Sequence, residues 1–300
     1  MKRSNLLKRS IVFFLGYVLG TFLAVQASYG QTTEKALLWE ISGKGLKQPS
    51  YLYGTIHITC DNGQGLNDEV KTAMENTEQL VLELDMDDPA MMQKMQKLSL
   101  NEGMQNFSAN MAEEDKAIVN AFYKERFGAG LTQLGMMKPF VLMSMLYPTY
   151  LDCEKQTAVE MMLMQAAKSQ EKEVFGLETV EEQMQVMDNI PMEEQITMLV
   201  NSIKEFEQNK ADFKELTDTY ADQDIVSLYE SFQKYPEYAK YEDEFLGDRN
   251  KNWIDDIEEI ITKKPSFIGV GAAHLASKNG VINLLREAGY TLKPILKTAN

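Results

Sequence analysis

The chain has 300 residues, 44% apolar and 25% charged, an ordinary globular balance that excludes wholesale disorder and a multi-span membrane protein. Its 45 Asp and Glu outnumber 30 Lys and Arg, for a formal charge of −15. That excess argues against nucleic acid as a partner, because phosphate binding needs a cationic surface. Only two histidines and two cysteines are present, so each carries weight.

Lys2, Arg3, Lys8 and Arg9 precede an uncharged stretch from Ile11 to Val25, 15 residues long. That length suits the core of a signal peptide and falls short of the ~20 residues a spanning helix needs. Small residues follow, and cleavage is expected after Gly30. Residues 1–30 are then a signal peptide, and 31–300 an exported chain, periplasmic or secreted, with no stable membrane span. The bland alternative is an uncleaved anchor. An exported chain can form disulfides. Cys60 and Cys153 are either bridged, bracing the loop after His57, or two buried free thiols.

In chain order, Ala36–Ser42 and Ser50–Ile58 are short, β-branched or aromatic, and punctuated by Gly and Pro, so strands are predicted. A helix is expected over Asn67–Glu78 and a strand over Gln79–Asp85. From about 89 to 235 nearly everything is helix-prone, with one apolar interruption at Glu173–Leu177. Thr179 followed by Glu182 is a capping-box signal for a new helix. A helix (Arg249–Thr262), a strand (Ser266–Gly271), a helix (Asn279–Ala288) and a strand (Thr291–Leu296) complete the chain. The fold class expected is α/β (mixed α+β), with a central sheet built from both chain ends, helices on both faces and a large helical insertion. Residues 31–300 are read as one domain with a helical subregion at about 89–235.

Of nineteen methionines, seventeen lie between Met86 and Met198. Their helical spacing points to core filling or an adaptable groove wall rather than a copper-binding array. The Tyr-rich stretch Tyr229–Tyr241 reads first as amphipathic helix packing and second as a contact surface.

Both histidines stand in one local setting. His57 closes Gly54-Thr55-Ile56-His57 after an apolar strand, and His274 closes Gly271-Ala272-Ala273-His274 after another. A glycine at the strand end lets the backbone turn or approach something that a Cβ would obstruct. Either histidine alone reads as structural; the matched pair points to a shared site. Glu83 projects from the same strand face as Asp85, and Glu178 stands where a strand yields to the Thr179-capped helix. All four positions fall at predicted C-terminal strand ends, where α/β sheets form their crevices.

Carboxylates packed together oppose folding unless a cation neutralises them. A divalent metal satisfies both carboxylates and neutral imidazoles, so His57, His274, Glu83 and Glu178 are candidate ligands of a hydrolytic metal site. A glutamate that is not a ligand would serve as general base. No H-E-x-x-H helix, G-x-S-x-G elbow or phosphate loop occurs. Arg249 and Asn250 open the helix before the second histidine strand; they read as an oxyanion or substrate clamp, or as a plain helix start.

Six segments together resemble the TraB/PrgY/GumN family, which includes the Tiki proteases: LLWEISG (Leu37–Gly43), SYLYGTIHI (Ser50–Ile58), LVLELD (Leu80–Asp85), GLETVEEQ (Gly176–Gln183), LGDRNKNW (Leu246–Trp253) and the Ile268–Tyr290 block. The resemblance implies a metal-dependent site in which His57 and His274 match the motif histidines, Glu83 and Glu178 the acids, and Arg249 and Asn250 the Arg-Asn pair. It also implies manganese or cobalt as the metal, with zinc as a further candidate, and an architecture similar to erythromycin-esterase-like and ChaN-like proteins. Ala273 and Ser277 depart from it, standing where members often carry Gly. The expected function is an exported metal-dependent hydrolase, foremost a peptidase acting on peptides or protein termini. The alternatives are a non-catalytic peptide-binding protein and a metal-independent Glu/His esterase-like hydrolase.

Overall fold

The computed structural model describes residues 35–61, 63 and 65–296, so the expected signal peptide lies outside the described residues. Eight strands occur among them: β1 (Leu38–Gly43), β2 (Ser50–Thr55), β3 (Thr59–Cys60), β4 (Gln79–Leu84), β5 (Gln156–Thr157), β6 (Glu173–Glu178), β7 (Ser266–Gly271) and β8 (Tyr290–Ile295). Six form one mixed sheet in the order β6-β4-β7-β2-β1-β8, with helices around it. The β6, β4, β7 and β2 neighbours run parallel, while β1 is antiparallel to both β2 and β8.

Burial explains the sequence texture of each strand. The interior strands β2, β4 and β7 are buried almost throughout, as strands covered on both faces must be, and they read as near-continuous apolar runs. The edge strand β8 alternates buried and exposed residues at its start and carries Pro294, which an edge strand tolerates. Trp253, Ile257 and Ile261 bury one stripe of the helix Asp248–Lys263, and Leu163 and Ala167 do the same for Val159–Ser169. The expected capping box is formed: Thr179 accepts from the Glu182 amide while the Glu182 carboxylate accepts from that of Thr179.

One expectation needs correction. The stretch 89–235 is not interrupted at β6 alone, because β5 pairs with β3 in a separate two-stranded ribbon. Gln156 and Thr157 carry no strand signal of their own; their partner lies almost a hundred residues earlier, and only the tertiary fold brings it near. The ribbon is stapled by the Cys60–Cys153 disulfide, so the bridged alternative holds. Two backbone bonds extend the clamp, from Asp61 N to Lys155 O (2.9 Å) and from Val159 N to Ile56 O (3.3 Å). The loop carrying His57 is thereby fastened to the start of the helix Val159–Ser169.

Candidate functional site

The register of the parallel strands brings four residues to one edge of the sheet. Thr55 of β2 is opposite Gly271 of β7, Leu82 of β4 opposite Gly269, and Leu84 opposite Glu178 of β6. Glu178, Glu83, His274 and His57 therefore follow one another along the C-terminal edge. Both motif glycines are close-approach positions. A Cβ on Gly54 would fall 3.1 Å from the Ala272 Cα and 2.8 Å from a Leu275 methyl, so this glycine lets the two histidine loops nest. A Cβ on Gly271 would lie 3.3 Å from Glu83 Oε1, whose carboxylate instead accepts from the Gly271 amide at 2.7 Å.

The centre of the cluster is Arg249. Its Nη2 donates to Glu83 Oε2 (2.7 Å) and Glu178 Oε1 (2.6 Å), and its Nε donates to Glu178 Oε2 (3.1 Å). Its Nη1 donates to the Phe245 carbonyl (3.0 Å) and to His274 Nε2 (3.2 Å). All five N–H donors of a guanidinium are thus engaged. A π-helical turn over Asp243–Gly247 precedes the helix and leaves the Phe245 carbonyl within reach. Trp253, beneath the guanidinium at 4.9 Å, also donates to Glu178. Gln183 donates to both glutamates.

Asn250, almost fully buried, decides the tautomer of His274. Its Nδ2 donates to the Asn279 and His274 carbonyls, so its Oδ1 must accept from His274 Nδ1, 2.6 Å away. His274 Nε2 is then the unprotonated nitrogen that receives Arg249. Burial first, and the guanidinium second, push the His274 pKa down to about 3, so the ring is neutral at ordinary pH. Burial works against the charge on Glu83, yet the neighbouring His274, then Arg249 and His57, and last the Gly271 amide hold its pKa low, at about 2.

His57 stands apart in chemistry. Its side chain is 76% exposed, and Nδ1 donates to Glu160 Oε1 at 2.8 Å. The Thr55 hydroxyl donates to the same oxygen at 2.7 Å. The bond to Glu160 raises the His57 pKa to about 9. Burial opposes the charge on Glu160, but the bonds from His57 and Thr55 outweigh it and lower its pKa. With Nδ1 anchored, His57 Nε2 is the ring nitrogen left to meet a substrate or water.

Glu160 is the residue that sequence reasoning missed. It sits on the same helical face as Leu163 and Ala167, both buried. A lone acid on an apolar stripe was the available signal, obscured by the methionines around it.

Do these residues fit a divalent ion? Among the described residues, no three His, Cys, Asp or Glu side chains converge as a ligand set. Glu83, Glu178 and His274 already receive N–H donors from one guanidinium, and His57 pairs with Glu160 instead. The donor set in this arrangement does not fit a metal. Nor are Arg249 and Asn250 disposed as a substrate clamp, since every donor of the first is taken and the second is buried. A family model described as the TraB/PrgY/gumN family matches residues 37–294. No curated protein and no solved structure matches the chain.

Proposed function

The chain belongs to the TraB/PrgY/gumN family, and from that membership we propose an exported hydrolase of peptide or ester bonds in which the His57–Glu160 pair handles the proton. The observation that carries this reading is the pair itself: an exposed imidazole oriented through Nδ1 by a largely buried carboxylate, with Nε2 left over. That is the arrangement a general base requires. Once the ring has given up its Nε2 proton, which a pKa of about 9 places at alkaline pH, Nε2 accepts a proton from water as the water oxygen bonds to the substrate carbonyl carbon. The same proton then passes to the departing amine or alcohol as its bond to carbon breaks. Arg249, Glu83, Glu178, Asn250 and His274 hold the edge of the sheet rigid and set the local charge. The disulfide suits export into an oxidising compartment.

The test uses protein purified without chelators, its metal content measured, and a mixed peptide and ester library as substrate. Turnover without bound manganese, cobalt or zinc, lost in His57→Ala, supports the reading. Stoichiometric metal required for turnover would return the site to metal-dependent hydrolysis. Peptides recovered intact under every condition would make the chain a binding protein.

A further inference from the structure

A cavity of about 270 Å³ lies in the helical region, with Ala273 as part of its lining. Ala273 is the residue before His274, so the cavity meets the second histidine loop. Its walls come from the helices Phe206–Ala221 and Ile225–Gln233 and from the tyrosines that flank them. The first of these helices continues to Tyr220, whose hydroxyl donates to the Gly54 carbonyl at 2.9 Å. One helix therefore serves both the cavity wall and the first histidine loop.

The wall chemistry is aromatic and anionic. Tyr147 and Phe213 have ring centroids 5.6 Å apart, and Tyr235 meets Tyr238 edge-on at 6.0 Å. Tyr147 remains 38% exposed, an open ring face in an otherwise well-packed region. The carboxylates of Glu205, Asp212, Glu215 and Glu237 line the cavity against a single cation, Lys234. Lys234 is already paired, at 2.7 Å from Asp212 and 3.8 Å from Glu215. Asp212 also accepts from the Tyr235 hydroxyl. Glu205 and Glu237 are left without an ion pair among the described residues. Met143 is the one methionine on this lining, so this cavity is not the groove wall that is one of the two readings of the methionines.

We propose that this cavity receives a basic side chain of the substrate, arginine or lysine, with its apolar stem against the rings and its cationic head beside Glu205 and Glu237. Aromatic faces carry negative charge density that attracts a cation, and the attraction grows as water is excluded. An acidic side chain meets repulsion from the same carboxylates. A neutral aliphatic one fills the volume and leaves both carboxylates without a counter-charge. The proposal rests on the hydrolase reading for the word substrate, and on the cavity alone for the cation.

The experiment is calorimetric titration of the full chain with the methylamides of N-acetyl-arginine, N-acetyl-norleucine and N-acetyl-glutamate, repeated on the double variant Glu205→Gln, Glu237→Gln. The arginine compound is expected to saturate one site per chain and to bind about tenfold more tightly than the norleucine compound. The double variant, with folding checked by circular dichroism, should bring the two within about twofold. Equal binding of both compounds in the unaltered chain overturns the proposal, as does a preference that survives in the double variant or the absence of saturable binding. Turnover plays no part in this readout. A chain that shows the preference but hydrolyses nothing keeps the cation site and loses the hydrolase reading; a chain that hydrolyses without the preference does the reverse.

Discussion

The two histidine loops share a sequence pattern and differ in everything that governs their chemistry. Around His274 the ring is buried, its Nδ1 is fixed by Asn250, and its Nε2 accepts from Arg249, so it has nothing left to give a substrate. Around His57 the ring is open and anchored at one nitrogen only. One pKa falls to about 3 through burial beside a cation, and the other rises to about 9 through a carboxylate bond. A motif places the imidazole at a strand end; its neighbours decide what the imidazole does.

The largest effect should come from breaking the buried centre. Arg249→Ala leaves Glu83 and Glu178 without their cation in a buried site, and a loss of about 3–5 kcal/mol in urea-unfolding stability is expected. A loss below about 1 kcal/mol would mean that the cluster is solvated and that the contrast between the loops is overstated. At the open pair the expectation is reversed. His57→Ala should cut hydrolysis about 100-fold while costing less stability than Arg249→Ala, because the ring is mostly exposed. If activity is untouched, the pair is not the proton carrier. In Glu160→Gln the activity should fall too, and the midpoint of its rise with pH should move from near 9 toward the ordinary histidine range. An unmoved midpoint would assign that titration to another group.

Stability against pH separates the two loops further. His274 and Glu83 both have lowered folded pKa values, about 3 and about 2. Each resists protonation in the fold, so stability drops as pH falls, beginning near 6.5 for His274 and near 4.5 for Glu83. His57 has a raised value, so its contribution is complete below 6.5 and fades as pH climbs through about 9. Thermal unfolding across pH 3–10 should therefore show a steep acid limb and a shallow alkaline one, with His57→Gln flattening the alkaline limb alone. A variant that instead flattens the acid limb would exchange the two assignments.

The smallest effect concerns Ser277, which holds φ at +81°, a left-handed conformation that a glycine adopts freely. This gives a backbone reason for the glycine that members of the family often carry there. Ser277→Gly should raise stability by up to about 1 kcal/mol, read as a rise in melting temperature, less whatever is lost with the serine hydroxyl's bond to Tyr229.

Much of the molecule was legible in the sequence because it depends on local patterns. Apolar strands running into a glycine marked β2 and β7, and the Thr179–Glu182 spacing marked a helix start. The strand-glycine-histidine repeat, with Glu83 and Glu178 at neighbouring strand ends, announced a cluster that required a positive charge. That such a charge would be needed follows from electrostatics and can be read from composition at those positions. Its identity cannot. Whether Arg249 reaches both carboxylates depends on a π-turn, on the register of β4 with β6 and β7, and on where one helix packs, none of which any local pattern encodes. Glu160 was hidden for the same reason, since it meets His57 only after the β3–β5 ribbon and the Cys60–Cys153 bridge join segments remote in the chain. Local spacing determines which groups stand at the sheet edge; long-range packing alone decides which of them touch.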